Sequence, residues 1–140
     1  MLYSEKHGTY FEDEKHLEFF EKTMQKLRNQ DCYYRALVYT LGMCDDTRGN
    51  FDTLFDMNEE CIRRDGFFAG WQTGSSTKVT RLAFNLFQDR PSTAYGEDGA
   101  PDDFNECKRY SVSDIFCCSF APLFIEAIRL RYPEYMGSRR

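Results

Sequence analysis

Residues 75–88 read SSTKVTRLAFNLFQ, and the apolar side chains in this stretch recur with the spacing of one helix face. They occupy positions i, i+3, i+4, i+7 and i+8, at Val79, Leu82, Ala83, Leu86 and Phe87. Side chains at this spacing form a continuous apolar stripe that must pack against other elements. The stretch predicts a helix that begins at Ser75 or Ser76, ends near Gln88 and lies at the centre of the core.

Two more amphipathic helices and one short helix are predicted in the first half of the chain. Residues 13–29 begin with Asp13, whose side chain can accept hydrogen bonds from the free N–H groups of a first helical turn. A second helix begins after the similar cap Asp31 and ends at Gly42. The apolar positions of the two are Leu17, Phe20, Met24 and Leu27, and then Tyr34, Leu37, Val38 and Leu41. The short helix spans residues 46–56 and buries Phe51, Leu54 and Phe55.

The last part of the chain predicts two further helices. Ser111 and Asp114 have the spacing of a capping box, which opens a short helix that runs through Cys118. Pro122 suits the first turn of the final helix, and Pro133 ends that helix. The final helix buries Phe120, Leu123, Phe124, Ala127 and Ile128.

The remaining segments lack helical periodicity. Residues 57–75 form a long irregular segment, which Phe67, Phe68 and Trp71 pin to the core. Residues 89–106 combine Pro, Gly and acidic residues, as in a solvated acidic loop, and residues 1–10 and 136–140 are expected to fray. The fold class is therefore mainly α: a single compact domain over 1–140 with five to six helices.

Composition and charge exclude several classes of protein. The 140 residues suit one domain, and 41% of them are hydrophobic, which is enough for a globular core. The net charge of −5 disfavours direct binding to nucleic acid or to anionic lipid. No apolar run approaches the roughly 20 residues that span a bilayer, and the first ten residues lack a signal-peptide layout. We therefore expect a protein of the cytoplasm with no membrane partner.

Six cysteines are numerous for a cytoplasmic chain, where disulfides are rare. One interpretation is a structural zinc site, since zinc takes four thiolate or imidazole ligands. The predicted ligands, which would staple segment 57–75 onto the carboxy-terminal helices, are Cys61, Cys107, Cys117 and Cys118, with His16 and Cys44 as alternates. No C-x₂-C pair is present, and adjacent cysteines diverge by about 100° on a helix, so a helix end is needed at Cys117. The other interpretation is that the thiols are buried as small hydrophobes.

The other candidate motifs for anion binding and for catalysis are weak. Residues 70–78, GWQTGSSTK, lead into a helix start that could hold an anion, but they lack the spacing of a phosphate-binding loop and also suit ordinary N-capping. A Cys–His nucleophile would have to use His7 or His16, and neither has a cysteine nearby in sequence. Runs of acidic residues are usually solvated faces. No catalytic set is evident.

Three blocks carry a resemblance to known sequences. They read YTLGMCDDTRGNFD (39–52), GWQTGSSTKVTRLAFNLF (70–87) and YSVSDIFCCSFAPLFIEAIRLRYPEY (110–135). In these blocks the chain resembles a small family of uncharacterised proteins that phages and mobile elements of Gram-positive bacteria carry. Similar small phage-borne proteins include anti-CRISPR inhibitors of the type II RNA-guided nuclease, and at least one is thought to bind zinc. The resemblance supplies no catalytic residues.

The resemblance and the negative charge together predict a phage-encoded anti-CRISPR protein that binds a type II CRISPR effector in the bacterial cytoplasm and blocks its nucleic-acid handling. Such an effector holds its guide–target duplex in a positively charged channel, toward which an acidic protein is steered. The predicted partner-binding residues are Asp45, Asp46, Asp52, Asp56, Glu59 and Glu60. A small metal-dependent enzyme and a phage structural or regulatory protein are the alternatives. The oligomeric state stays open.

Overall fold

Helices supply most of the regular structure in a computed structural model that describes residues 1–90 and 103–137. The helices are α1 (Glu14–Lys26), α2 (Cys32–Gly42), α3 (Asp45–Gly49), α4 (Phe51–Leu54), α5 (Gly74–Gln88), α6 (Asp103–Lys108), α7 (Val112–Ile115) and α8 (Ala121–Arg131). Strands β1 (Leu2–Ser4) and β2 (Thr9–Phe11) form one antiparallel pair, and β3 (Phe55–Asp56) and β4 (Cys61–Ile62) form another. Single 3₁₀ turns span Arg64–Phe68 and Pro133–Tyr135. The predicted mainly α fold is confirmed.

Helix α2 lies at the centre of the core, in contact with α1, α5 and α8. Every residue from Ala36 to Gly42 is buried, including Tyr39 and Thr40. The prediction that α5 is the central helix is therefore wrong. A helix that is buried on all sides shows no apolar stripe, so its sequence pattern is weaker than that of a helix with one solvated face.

The predicted helix caps are largely confirmed. Asp13 accepts a hydrogen bond from the backbone N–H of His16 at 2.9 Å, and Asp31 accepts from that of Tyr33 at 3.0 Å. Helix α5 begins slightly earlier than predicted, because Thr73 rather than a serine is its cap. The backbone N–H of Ser76 donates to the Thr73 hydroxyl at 3.1 Å, and the Thr73 N–H donates to the Ser76 hydroxyl at 2.7 Å. Ser76 thus closes a capping box from the third helical position.

The single helix predicted over residues 46–56 is divided into α3 and α4. Asn50 departs from helical geometry, with φ −117° and ψ 27°, directly after Gly49, a residue that weakens helices. The predicted burial of Phe51, Leu54 and Phe55 is nevertheless confirmed. Phe55 already belongs to β3, so the chain turns from helix to strand at the end of α4.

The first eleven residues form a hairpin in the structure, where fraying was expected. Strands β1 and β2 pair Leu2 with Phe11 and Tyr3 with Tyr10, and Phe11 is fully buried. The hydroxyl of Tyr39 on α2 donates to the Tyr10 carbonyl at 2.6 Å, which fixes the hairpin to the core. Strands of three residues are too short to show the alternation that predicts a strand.

The segment predicted as irregular over residues 57–75 is held by packing. A Cβ on Gly66 would lie 2.1 Å from the Thr53 carbonyl oxygen, so the 3₁₀ turn approaches α4 as closely as only glycine permits. The Phe67 ring packs against the core, and the guanidinium of Arg81 lies 4.9 Å from its centre. Phe68 is exposed, which contradicts its predicted pinning role.

The predicted final helix is confirmed as α8, with Leu123, Phe124 and Ala127 buried. Phe120 and Ile128, which were also predicted to be buried, are half-buried. Helix α7 ends at Ile115 rather than at Cys118. Helix α6 covers the last four residues of the predicted acidic loop, 103–106, and residues 91–102 lie outside the described part, as do residues 138–140 of the predicted tail. No helix in the described ranges combines the length and the apolar composition that are needed to cross a bilayer.

Candidate functional site

The predicted zinc ligands lie on separate elements. Cys61 is in β4, Cys107 is in α6 and Cys117 follows α7, and all three are exposed. Cys118 is half-buried, with its thiol 3.7 Å from the Ile115 carbonyl oxygen. Within residues 1–90 and 103–137, no group of three or more His, Cys, Asp or Glu is placed to hold a metal ion. The structure gives no support to the zinc site, which stays a prediction.

The alternate ligands His16 and Cys44 are both buried. The Nδ1 atom of His16 accepts the backbone N–H of Glu12 at 3.0 Å, so its Nε2 atom carries the proton and donates to the Tyr39 carbonyl at 2.7 Å. Burial lowers the pKa of His16 to about 4. His16 is therefore a neutral link between α1 and α2, with both ring nitrogens occupied.

The start of α5 is an ordinary capped helix end. Besides the Thr73–Ser76 capping box, the backbone N–H of Thr77 donates to the Thr73 carbonyl at 3.0 Å. The ammonium of Lys78 contacts the Asp114 backbone carbonyl and lies 3.6 Å from the Asp114 carboxylate. Lys78 thus joins α5 to α7. Residues 70–78 contain an N-cap as predicted, but the cap is Thr73 where Ser75 or Ser76 was expected.

Residues 45–60 form one of the two most acidic stretches of the chain. They include six acidic side chains and one basic side chain, Arg48, so their formal charge of −5 equals that of the whole protein. The stretch runs through α3, α4, β3 and the turn into β4. Residues 89–106 have the same formal charge, from six acidic residues and Arg90, but most of them lie outside the described ranges. Residues 45–60 are the acidic stretch that the structure describes in full.

Four of the six acidic side chains belong to exposed residues: Asp45, Asp46, Asp52 and Glu59. The Asp45 side chain is 88% exposed and pairs with Arg48 one helical turn later. The Arg48 side chain is only 16% exposed, and its charge partly neutralises Asp45. Asp46, Asp52 and Glu59 have no ion pair within 4.0 Å in the described part of the chain.

Asp56 is half-buried and shapes the turn between β3 and β4. Its carboxylate accepts the backbone N–H groups of Asn58 at 2.8 Å and Glu59 at 3.0 Å, and it lies 3.2 Å from the guanidinium of Arg63. These backbone hydrogen bonds lower the pKa of Asp56. Asp56 stays ionised and is partly neutralised by Arg63.

Glu60 differs from the other five predicted partner-binding residues because its side chain is only 2% exposed. One carboxylate oxygen accepts from the Arg28 backbone N–H at 2.8 Å and its Nε at 3.1 Å. The other accepts from the Asn29 backbone N–H at 3.2 Å and its Nδ2 at 2.8 Å. These donors lower the pKa of Glu60 to about 2, with the Arg28 backbone N–H as the largest cause. Glu60 anchors the β3–β4 turn to the linker between α1 and α2.

The acidic surface is therefore composed of Asp45, Asp46, Asp52, Asp56 and Glu59. On one side Asp52 and Asp56 border a groove of about 870 Å³. Arg63, Arg64 and Asp65 also line this groove, so its rim contains both signs of charge. Helices α3 and α4 carry Asp45, Asp46 and Asp52 together with Arg48, and Asp52 also lines a second groove with Lys22 and Lys26.

Sequence comparison adds a family. A model described as a family of unknown function (DUF6075) matches residues 6–140. No curated protein matches the chain significantly, and no solved structure does. The match extends over the acidic surface as well as the central helix α2.

Proposed function

We propose that this chain, which belongs to the family of unknown function DUF6075, is a binding protein that docks its acidic surface on a basic surface of a protein partner. One observation carries the proposal: residues 45–60 have a formal charge of −5, and four of their carboxylates belong to exposed residues. A concentrated field of one sign steers a complementary partner into a productive encounter.

The local fold supports presentation of these charges. Asp45 and Asp46 lie in the first turn of α3, where the helix dipole favours carboxylates. Glu60 fixes the adjoining turn through four hydrogen bonds to residues 28–29, so the exposed carboxylates stand on an anchored segment. A surface that is held in place before binding loses less entropy when a partner docks.

The partner that we propose is the type II CRISPR effector nuclease. The resemblance to phage-borne proteins motivates this choice, and the chemistry of the effector is compatible with it, because its nucleic-acid channel is lined with positive charge. An acidic protein on that channel would compete with the phosphate backbone of guide or target. The expected consequence is inhibition of target DNA binding.

The test is a charge reversal with a matched control. The test variant carries Asp46→Lys, Asp52→Lys and Glu59→Lys. The control reverses three exposed acidic residues away from the acidic surface, at Glu5, Glu18 and Glu134. Each set changes the formal net charge from −5 to +1, so global charge is matched and only its position differs.

We expect the test variant to associate with purified effector about tenfold or more slowly than the control variant, with a matching loss of cleavage inhibition. Surface plasmon resonance and a DNA cleavage assay measure the two effects. Equal losses in both variants would contradict docking through the acidic surface. Failure of the wild-type protein to bind or inhibit effectors from plausible hosts would refute this choice of partner.

A further inference from the structure

A second cavity lies away from the acidic surface and shares no lining residue with it. This cleft of about 480 Å³ is bounded by the β1–β2 turn, the start of α2 and the end of α8 with the 3₁₀ turn that follows it. We call it the cationic cleft, and its main lining residues are His7, Cys32, Arg35, Arg129, Leu130 and Met136. Its volume falls within the range of small-molecule sites, about 300–1,000 Å³.

The charged side chains that line the cleft are basic. Arg35 extends from α2 and Arg129 from α8, and no acidic residue is among those that line the cavity. Arg129 lies 3.7 Å from Glu126, which also accepts the backbone N–H of Tyr10 at 2.9 Å and is buried. Arg35 has no carboxylate within 4.0 Å in the described part of the chain. The guanidinium of Arg35 therefore has no carboxylate partner among the described residues, and that of Arg129 is only partly neutralised.

The elements that carry these arginines are fixed to each other by Arg131. Its Nε donates to the Leu86 carbonyl at 2.8 Å and its Nη2 to Asp89 at 2.6 Å. Its guanidinium stacks over the ring of Tyr33 at 3.6 Å, and its Nη1 lies 3.7 Å from the thiol of Cys32. The end of α8 is thereby held against the first turn of α2. The two cationic walls of the cleft are positioned without a ligand.

The remaining walls suit the body of an organic molecule. Leu130, Pro133 and Met136 supply apolar surface, and Cys32 lines the cleft from the first turn of α2. A carboxylate or phosphate accepts paired, charge-assisted hydrogen bonds from guanidinium groups, and these are stronger than the hydrogen bonds that a neutral acceptor makes. Apolar surface beside guanidinium groups favours an anion that carries a carbon skeleton.

We infer that the cationic cleft binds a small organic anion, in which a phosphate or carboxylate group contacts Arg35 and Arg129 and an apolar or ring-containing body rests on Leu130 and Met136. This inference concerns a different surface from the proposed function and does not depend on it. Phosphate and carboxylate ligands share this chemistry: each has one anionic group attached to an organic body that fills the cleft.

The test adds two anionic probes to the full-length protein and follows backbone amide resonances by NMR. The probes are adenosine monophosphate and 4-phenylbutyrate, and adenosine and 4-phenylbutanamide are their neutral counterparts. We expect saturable shifts at Gly8, Thr9 and Cys32 with at least one anion, and about tenfold weaker binding of its neutral counterpart. Arg35→Met and Arg129→Met should each weaken binding of that anion by about tenfold.

Arg63→Met is the matched control, because it removes the same charge from the groove beside Asp56. Its affinity for the anion should stay within about twofold of wild type, since bulk charge alone contributes little at moderate salt. A response to adenosine monophosphate alone assigns a phosphate ligand, and a response to 4-phenylbutyrate alone assigns a carboxylate. Absence of shifts with both anions, or an equal loss in Arg63→Met and Arg35→Met, would overturn the inference.

Discussion

Mild acid should destabilise the protein through His16. Its ring is fully buried, and the neutral form is the one that accepts the Glu12 N–H and donates to the Tyr39 carbonyl. In the unfolded chain this histidine titrates near 6.5, whereas burial lowers its folded pKa to about 4. Above pH 6.5 both states are neutral and His16 makes no pH-dependent contribution. Between pH 6.5 and 4 the unfolded state binds more protons, so the free energy of unfolding falls.

The size of the effect follows from the difference between the two pKa values. Each pKa unit corresponds to about 1.4 kcal/mol, so the full penalty below pH 4 is about 3 kcal/mol. At pH 5, where most carboxylates are still ionised, the loss from His16 is about 2 kcal/mol relative to pH 7. His7 adds a smaller loss in the same direction, because burial is the largest cause of its lowered pKa.

The assay is urea unfolding at pH 7 and pH 5, at constant ionic strength, for wild type, His16→Gln and His7→Gln. The His16→Gln protein should be less stable at pH 7, because two buried hydrogen bonds are altered, but most of its pH-dependent loss should disappear. His7→Gln should keep most of that loss. An NMR titration of the wild-type imidazole should give a pKa of about 4. A pH effect that is the same in wild type and His16→Gln, or a His16 pKa near 6.5, would refute this reasoning.

Four further results are expected. Glu60→Gln should lower the melting temperature, because a neutral amide cannot accept all four hydrogen bonds from residues 28–29, while exposed Glu59→Gln should leave it unchanged. Leu82→Ala, in the core side of α5, should cost roughly 2–5 kcal/mol of stability in urea unfolding, and a loss below about half a kcal/mol would mean that this face is not core. Gly66→Ala should destabilise strongly because the added Cβ meets a backbone carbonyl, whereas Gly70→Ala enters open space and should be tolerated in the same thermal melt. Elemental analysis tests the zinc prediction, which expects about one equivalent of zinc per protein and its loss when any of the four predicted cysteines is replaced by serine. Purified protein that contains no zinc and melts at an unchanged temperature would leave the prediction without support.

Short sequence patterns predicted those parts of the fold that depend on contacts between residues close in the chain. Asp13 and Asp31 cap their helices through N–H groups two or three residues away, so the sequence alone locates both starts. Pro133 ends α8 in the same local way. The stripe in α5 identified its buried face correctly, since Leu82 and Leu86 are both in the core.

Contacts between distant residues could not be predicted in this way. The central position of α2 depends on three other helices that cover it, and burial of every residue from Ala36 to Gly42 removes the periodic polar face that a pattern search needs. Glu60 resembles its neighbour Glu59 in sequence, yet its partners lie about thirty residues earlier in the chain. The cationic cleft likewise combines a hairpin turn with residues from α2 and α8, so no linear motif marks it.

The most direct test of docking through the acidic surface is the association rate constant of the wild-type protein with a purified type II effector, measured by stopped flow as salt is raised. Electrostatic steering is screened when the Debye length falls from about 30 Å at 0.01 M to below about 10 Å above 0.1 M ionic strength. Docking through the acidic surface predicts that the rate constant falls steeply over this range, and that the slope flattens when Asp46, Asp52 and Glu59 are reversed to lysine. A rate constant that does not change with salt, or an unchanged slope in that variant, would contradict it.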